Sequence, residues 1–233
     1  MKTNQRSEEN RAIPSIELEE LKKSFERDKP ESLLNHIHMS PESRKLVENN
    51  SFALLIAIVA DQSVKMEAAW NLPYELGKRI GMERLHPQWI TRNSDKVKDA
   101  IAQKPALHRF PQKMTDYIFS LSTIIENKYS SAADLLRSSM DYHVFVANVK
   151  EVSGISDKKA NFLFLTLSLD LHYPFKNTEE SSVLFDAHME KWLSQHFNRT
   201  ISKKEANEIC AYVSPGNPAL FCPYIWNKDR EIK

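Results

Sequence analysis

Glycine and cysteine are scarce in this chain of 233 residues, which contains four glycines and two cysteines. The two cysteines, Cys210 and Cys222, are too few for the disulfide framework that holds many small secreted domains together. No apolar run approaches the roughly 18 residues that a membrane-spanning helix needs. The N-terminal sequence MKTNQRSEENRA also lacks the apolar segment of a secretory signal. We therefore expect an intracellular protein that is neither secreted nor inserted in a membrane.

An excess of charge of either sign is also absent, because 32 basic and 31 acidic residues leave a formal net charge of +1. Such a balance creates no overall field that would attract nucleic acid or an anionic membrane. Any site for a polyanion has to be built locally. A hydrophobic content of 41% is sufficient for the core of one large domain or two small ones.

Apolar residues recur at helical spacing along most of the chain. The clearest stripe is Phe52, Leu55, Ile56 and Val59, which predicts a helix packed into a core. Further helices are predicted from Pro14, across 31–48, from Met66 to a break or kink at Pro73, from Pro111 to Ile125, and at 141–150, 183–197, 202–213 and 217–227. These segments together predict an all-α fold.

The segment LTLSLDLH, residues 165–172, alternates apolar and polar residues in the way typical of a β-strand. We nevertheless predict a largely buried helix from about 157 to 171. No other segment offers a partner strand, and an unpaired strand would leave its backbone hydrogen-bonding groups unsatisfied.

Gly154 lies in the segment VSGISDKKANF, between the helix at 141–150 and the one that begins at about 157. Glycine adopts positive φ without strain, so its presence predicts a tight turn between the two helices. The backbone N–H groups of such a turn, with the positive end of the second helix, can bind a phosphate. The alternative is that Gly154 only caps the preceding helix, which is a common role of glycine there.

Three segments, in this order along the chain, carry a family resemblance. FALLIAIVADQS is similar to E-x-L-[LI]-[AS]-x-[IL]-L-[SA]-x-Q, VSGISDKKA to L-P-G-V-G-x-K-x-A, and LFDAHMEKWL to V-D-x-H-[IMV]. These are the first barrel helix, the second half of the helix-hairpin-helix motif and the catalytic segment of the DNA glycosylases related to endonuclease III and 8-oxoguanine glycosylase. In the hairpin, Gly154, Ile155, Lys158 and Ala160 match the pattern.

The resemblance implies roles for three residues outside the hairpin. Asp186 matches the catalytic aspartate, which stabilises the positive charge that develops at C1′ of the sugar when a flipped base leaves. His188 matches a histidine that would orient a phosphate or the aspartate, and Gln62 a glutamine that would fill the gap left by the base. Their ordinary structural roles would be a helix cap, a hydrogen-bonded histidine and an exposed glutamine at a helix end.

The same pattern places Lys158 on the nucleophile that attacks C1′ to form a Schiff base, after which elimination nicks the strand. The attacking amine has to be neutral. We expect burial between two helical layers, together with the positive helix end, to favour the neutral form of Lys158. Lys159 is expected to be an ordinary solvated lysine.

The chain also departs from the family pattern. Ser156 replaces the second hairpin glycine, and Asp157 introduces an acid where a phosphate would bind. The stretch between Lys158 and Asp186 is long, which implies an insertion near KNTEESS. Many relatives carry an iron–sulfur cluster on four cysteines, and two cysteines cannot supply that site. We expect no iron–sulfur cluster, no other cofactor, and no metal at the sequence HIH, residues 36–38.

The resemblance implies two helical domains with a helix-hairpin-helix motif and an active site in the cleft between them. A barrel-like domain would cover 49–176, a second domain 14–48 with 177–233, and residues 1–13 would be disordered. In the hairpin, Gly154, Ile155 and Ser156 would contact DNA.

The predicted function is removal of a damaged or modified base from double-stranded DNA by a monomer, with AP-lyase activity. The resemblance also implies that the protein is cytoplasmic (nucleoid-associated) or nuclear. The alternatives are a non-catalytic DNA-binding protein of the same fold and an all-α protein-interaction domain in which the matches are coincidental. The base is not identified by the sequence. A tryptophan could stack on it or simply belong to the core; the candidates are Trp70, Trp89, Trp192 and Trp226.

Overall fold

The computed structural model describes residues 15–231, with side chains to residue 229. The disorder expected for residues 1–13 and the first-turn position expected for Pro14 lie outside this range. The described residues form thirteen α-helices: α1 Ser15–Arg27, α2 Pro41–Asn49, α3 Ser51–Ala60, α4 Met66–Ile80, α5 Pro87–Arg92, α6 Ser94–Ala102, α7 Pro111–Lys128, α8 Ala132–Leu136, α9 Tyr142–Lys150, α10 Asp157–Leu169, α11 Ala187–His196, α12 Lys203–Val213 and α13 Phe221–Glu231. Within that range the only strand-like pairing is an isolated bridge between Asp141 and Lys176. The prediction of an all-α fold is confirmed.

The backbone divides into two compact units. Of the described residues, the central unit consists of 32–176, and the terminal unit combines 15–31 with 177–231. Residues 32–48, which the sequence analysis grouped with the terminal segments, lie in the central unit because α2 packs against α3 and α4. Asp170, just after α10, holds the start of this segment by accepting hydrogen bonds from the backbone N–H groups of Leu33 at 3.0 Å and Leu34 at 3.3 Å.

Helix α3 is the core of the central unit. Every residue from Phe52 to Ala60 is buried, as expected for a helix that is apolar on all sides. Helices α2, α4, α7, α8 and α10 pack around it. Helix α4 continues through the buried Pro73 to Ile80, so the break considered at this proline does not occur. Packing on α3 outweighs the local cost of a proline in a helix interior.

Helix α10 confirms that the segment LTLSL, residues 165–169, is helical despite its alternating pattern, and the helix ends two residues before the predicted 171. Residues 160–167 are all buried, so polar and apolar positions do not mark separate faces. The polar positions satisfy their hydroxyl groups within the helix. Thr166 Oγ1 donates to Phe162 O at 2.9 Å, and Ser168 Oγ donates to Phe164 O at 2.8 Å. This local bonding removes the cost of burying a hydroxyl among apolar residues.

The terminal unit is held by an aromatic cluster. The ring of Phe25 in α1 lies 5.6 Å from the rings of both Phe221 and Tyr224 in α13, in edge-to-face geometry. Both cysteines are buried in this unit and form no disulfide, and burial raises the pKa of Cys210 well above its ordinary value. The segment CAYVSPGNPALFC therefore contributes to the core. Helix α11 begins four residues later than the predicted 183, whereas α12 begins and ends within one residue of the prediction.

Among the described residues, no helix combines the length and the apolar character that crossing a membrane requires.

Candidate functional site

The turn between α9 and α10 requires the glycine at position 154. The N–H group of Ile155 donates to Val152 O at 3.0 Å, which closes a four-residue turn with Gly154 at its third position. Gly154 has a φ of 91°, and a Cβ atom there would lie 2.6 Å from the Cδ2 atom of Tyr117. The cap residue of α9 is Glu151, so Gly154 is not simply that helix's cap. Both the backbone conformation and the contact with α7 exclude a side chain.

The first turn of α10 has no side-chain cap. Ser156 occupies the N-cap position, but its side chain makes no capping hydrogen bond. Asp157 follows it and pairs with Lys150, the last residue of α9. The acid that the sequence analysis identified as unfavourable for phosphate is therefore accompanied by a basic residue from the other side of the hairpin.

The two adjacent lysines of α10 lie in different environments. Lys158 is exposed, whereas Lys159 is half-buried and its Nζ donates to Val59 O of α3 at 2.7 Å. Burial lowers the pKa of Lys159 to about 8, with Asp61 opposing the shift and Lys113 adding to it. The expectation that Lys158 is buried and Lys159 solvated is wrong. The rotation of α10 that buries Leu163, one turn further on, directs Lys159 rather than Lys158 towards α3.

Asp61 is the acidic partner of Lys159, at the C-terminal end of α3. Burial raises the pKa of Asp61, while the charges of Lys159 and Lys158 and an interaction with the Trp70 indole oppose that rise. The Trp70 Nε1 atom is buried and makes no hydrogen bond that meets ordinary distance and angle limits. Its interaction with Asp61 is therefore weaker than a full hydrogen bond. The Asp61 carboxyl and the Lys159 amine are both shifted towards their neutral forms.

His108 contacts the residues that follow α3, next to Asp61. Its ring is buried, and its Nε2 atom lies 3.1 Å from Gln62 O. The N–H group of Phe110 donates to its Nδ1 at 3.1 Å, so Nε2 carries the proton and donates to Gln62. Burial lowers the pKa of His108, which favours this neutral form. Gln62 itself donates from Nε2 to Val59 O at 3.3 Å. Lys159 and His108 therefore both hold residues 59–62 in place through hydrogen bonds to backbone carbonyl groups.

Basic and aromatic side chains surround the beginning of α7. The guanidinium of Arg109 lies 5.4 Å from the ring of Phe110, which is 44% exposed. The amine of Lys113 lies 5.5 Å from the ring of Tyr117, the residue that contacts the Gly154 turn. We call these four residues the α7 surface. Through Tyr117 and Lys113 it adjoins both the hairpin and Lys159.

Asp186 and His188 belong to the terminal unit, at the start of α11. Asp186 is the N-cap residue, and its Oδ1 accepts hydrogen bonds from the N–H groups of His188 at 3.1 Å and Met189 at 3.0 Å. The helix-cap role considered for Asp186 is therefore present. Of the residues singled out in the sequence, the central unit brings together Gln62, the Gly154 turn and the two lysines, and the terminal unit holds Asp186 and His188.

His188 has a partner that the sequence did not reveal. Its Nδ1 lies 2.8 Å from Oδ2 of Asp229 in α13. The Asp229 side chain is only 4% exposed, and the Nζ atom of Lys191 lies 3.5 Å from its Oδ1. No local pattern pairs residues 41 positions apart. Lys228 and Arg230 flank Asp229 in the sequence, so nothing around it indicated a buried acid.

A groove of the central unit lies where α3, α5 and α8 begin. Three helix starts resemble an anion site, but side chains already cap their N–H groups: Asn50 caps α3, His86 caps α5 and Ser131 caps α8. We assign no ligand to this groove. Trp70 and Trp192 are buried core residues, whereas Trp89 and Trp226 are partly exposed.

Comparison of the chain with protein-family models, with curated proteins and with solved structures finds no significant match.

Proposed function

We propose that the protein is a DNA glycosylase that removes a damaged or modified base from double-stranded DNA and nicks the strand through a lysine Schiff base. Lys158 is the nucleophile and Asp186 the carboxylate that stabilises charge at C1′. The observation that carries the proposal is the α9–α10 hairpin, whose Gly154 turn leads directly into a first turn with two lysines. The three sequence segments that resemble the glycosylases support it.

The surroundings of the hairpin suit a DNA backbone. The backbone N–H groups at the start of α10 have no side-chain cap, and Asp157, the acid in that first turn, is paired with Lys150. The α7 surface adds Arg109 and Lys113 beside it, with two aromatic rings. Basic groups interleaved with exposed aromatic rings are typical of surfaces that contact phosphates and bases. With a net charge of only +1, we expect modest and strongly salt-dependent binding.

The experiment that tests the proposal compares substitutions of Lys158 and Lys159. The protein is incubated with duplexes that each carry one lesion, and borohydride is added during turnover to reduce any Schiff base. We expect Lys158→Gln to abolish the covalent protein–DNA species. Lys159→Gln is the matched control and should retain it, because Lys159 is already engaged with Val59 and Asp61.

Three results would change the assignment. Trapping lost only in Lys159→Gln would make Lys159 the nucleophile and the register of the resemblance wrong by one residue. Base removal without trapping, detected as alkali-labile abasic sites, would indicate a glycosylase without lyase activity. Absence of both, with DNA binding intact, would contradict catalysis.

The second candidate is a DNA-binding protein of the same fold that does not catalyse. The exposure of Lys158 favours it, because a solvated amine lacks the burial that would make it neutral. The lesion panel separates the two functions, since a binding protein would retard the duplexes in a gel without releasing base or cleaving strand.

A further inference from the structure

The loop that leads into α7, residues 103–110, carries an exposed aromatic ring. Phe110 is 44% exposed, whereas most phenylalanine side chains are buried when a chain folds. The guanidinium of Arg109 is also exposed and lies 5.4 Å from the centre of the Phe110 ring. The ring and the cation therefore form an exposed pair at the end of the loop.

Hydrogen bonds hold this loop in one conformation. The guanidinium of Arg79 in α4 donates to three backbone carbonyl oxygens at 2.6 to 2.7 Å, those of Ala100, Gln103 and Pro105. At the other end of the loop, the N–H group of Phe110 donates to Nδ1 of the buried His108 at 3.1 Å. Since the loop is already ordered, a ligand that binds to Phe110 loses little affinity to loop ordering.

The charges around the ring indicate the chemistry of the ligand. Between residues 103 and 117 the sequence contains one acid, Asp116, and its Oδ1 accepts a hydrogen bond from Gln112 Nε2 at 2.7 Å. The basic residues of the same stretch are all exposed, and they are Lys104, Arg109 and Lys113. A positively charged surface with an exposed ring is complementary to a strand in which flat bases alternate with phosphates.

The exposed ring also distinguishes a single strand from a duplex. A duplex presents the edges of its bases in the grooves and keeps their faces stacked on one another, whereas a single strand leaves base faces accessible. A phenylalanine has no group that could hydrogen-bond a base edge, but its ring can stack on a base face. Phe110 is therefore suited to an unpaired base.

We propose that the loop and the α7 surface bind single-stranded DNA, with an unpaired base stacked on Phe110 and the neighbouring phosphates bound by Arg109 and Lys113. The choice of DNA rather than RNA rests on the proposed function. All three residues lie in the central unit, so this site is complete within that unit.

The test measures the affinity of the full chain for a labelled oligothymidylate of about 12 nucleotides by fluorescence anisotropy. Phe110→Ala should weaken binding by about 5- to 150-fold, the usual loss when one base–aromatic stack is removed. Phe110→Trp should retain the affinity, because the larger ring stacks at least as well. Phe119→Ala is the matched control: Phe119 is 38% exposed on the same helix, and this variant should bind like the wild type.

Two further measurements separate stacking from phosphate contact. An oligomer of abasic residues keeps the phosphates and lacks the bases, so the wild type and Phe110→Ala should bind it equally. An undamaged duplex should likewise not distinguish these two proteins. Arg109→Gln should reduce the slope of log affinity against log salt by about 0.7 on the oligothymidylate, the value for one phosphate contact to a single strand. Phe110→Ala should leave that slope unchanged.

Several results would overturn the inference. Wild-type affinity of Phe110→Ala for the oligothymidylate would contradict stacking, and so would an equal loss of affinity for the abasic oligomer or the duplex. Tighter binding to an oligouridylate of the same length would contradict the choice of DNA. A wild type that traps a lesion but does not bind the single strand would overturn this inference and leave the proposed function standing. Single-strand binding without trapping of any lesion would do the reverse.

Discussion

The first turns of α10 and α11 carry the residues on which the proposed chemistry depends, and they differ in how each helix begins. In α11, Asp186 caps the helix through two backbone N–H groups. In α10, the N-cap Ser156 makes no such bond, and the acid that follows it is paired with Lys150. One helix start is neutralised by its own carboxylate, and the other is bordered by lysines. The difference shows that a helix start can be capped by its own side chain, as in α11, or left with its backbone N–H groups uncapped, as in α10.

The largest expected effect concerns the turn that presents the α10 start. Gly154→Ala should lower the free energy of unfolding by roughly 2–4 kcal/mol, because positive φ and a contact with a rigid ring both oppose a Cβ atom. Gly216→Ala is the matched control, since nothing lies within 4 Å of a Cβ atom there. Chemical denaturation measures both. Equal stability of the two variants would contradict the observed turn.

The next prediction distinguishes Lys159 from Lys158 by the pH dependence of the free energy of unfolding. Lys159 has a pKa of about 8 in the folded chain and an ordinary value of 10.5 when unfolded. Between these values the unfolded chain binds more protons, so the free energy of unfolding rises with pH in that window. In the wild type, the free energy of unfolding should rise by roughly 2 kcal/mol between pH 8 and pH 10.5 because of this lysine, and Lys159→Met should abolish that rise. Urea denaturation at several pH values measures it, and Lys158→Met should retain the wild-type slope.

Two substitutions of Asp186 distinguish its role as the N-cap of α11 from its proposed role in catalysis. Asparagine caps helices about as well as aspartate, so Asp186→Asn should leave stability nearly unchanged, whereas Asp186→Ala should cost about 1 kcal/mol. Both changes remove the negative charge and should slow base release from a lesion-bearing duplex. Thermal unfolding gives the stability and single-turnover kinetics the chemistry. Full activity in Asp186→Asn would reduce this residue to its structural role.

The smallest effect concerns the acid at the start of α10. Asp157→Arg should tighten binding to undamaged duplex by about two- to fivefold, the equivalent of roughly 0.3–1 kcal/mol at a helix terminus. Lys150, released from its partner, would add to the gain. Fluorescence anisotropy at low and moderate salt measures the affinity. Weaker or unchanged binding would show that the α10 start does not meet phosphate.

Most of the helices were predictable from the apolar pattern of the sequence, and three short ones were not. The apolar stripe of α3 predicts that helix. For α10, the lack of a partner strand outweighs the alternation in LTLSLDLH, which favours a strand. The missed helices α5, α6 and α8 have at most nine residues each and offer too few apolar positions to define a period. The rule that proline breaks a helix fails at Pro73, because packing on α3 keeps α4 helical through this residue.

The site was less predictable, because its features depend on distant residues. The Gly154 turn follows from local chemistry and was found. The burial of Lys159 depends on Val59 and Asp61, about 100 positions earlier in the chain, and no spacing in the segment DKKANF indicates it. Asp229 likewise becomes a partner of His188 only when α11 and α13 pack together. Local periodicity gives the direction of a side chain relative to its own helix and not the groups that it will meet.

The burial of α3 on all sides also affects how the protein is made. Val59 of this helix accepts its hydrogen bond from Lys159, which is synthesised 100 residues later. At about 5–20 residues per second, roughly 5–20 seconds pass before α10 can cover the apolar sequence SFALLIAIVA. During that time the nascent chain exposes its most aggregation-prone segment. A chain that stops before α10 therefore leaves part of α3 uncovered, whereas one that reaches residue 176 contains every helix that packs around α3.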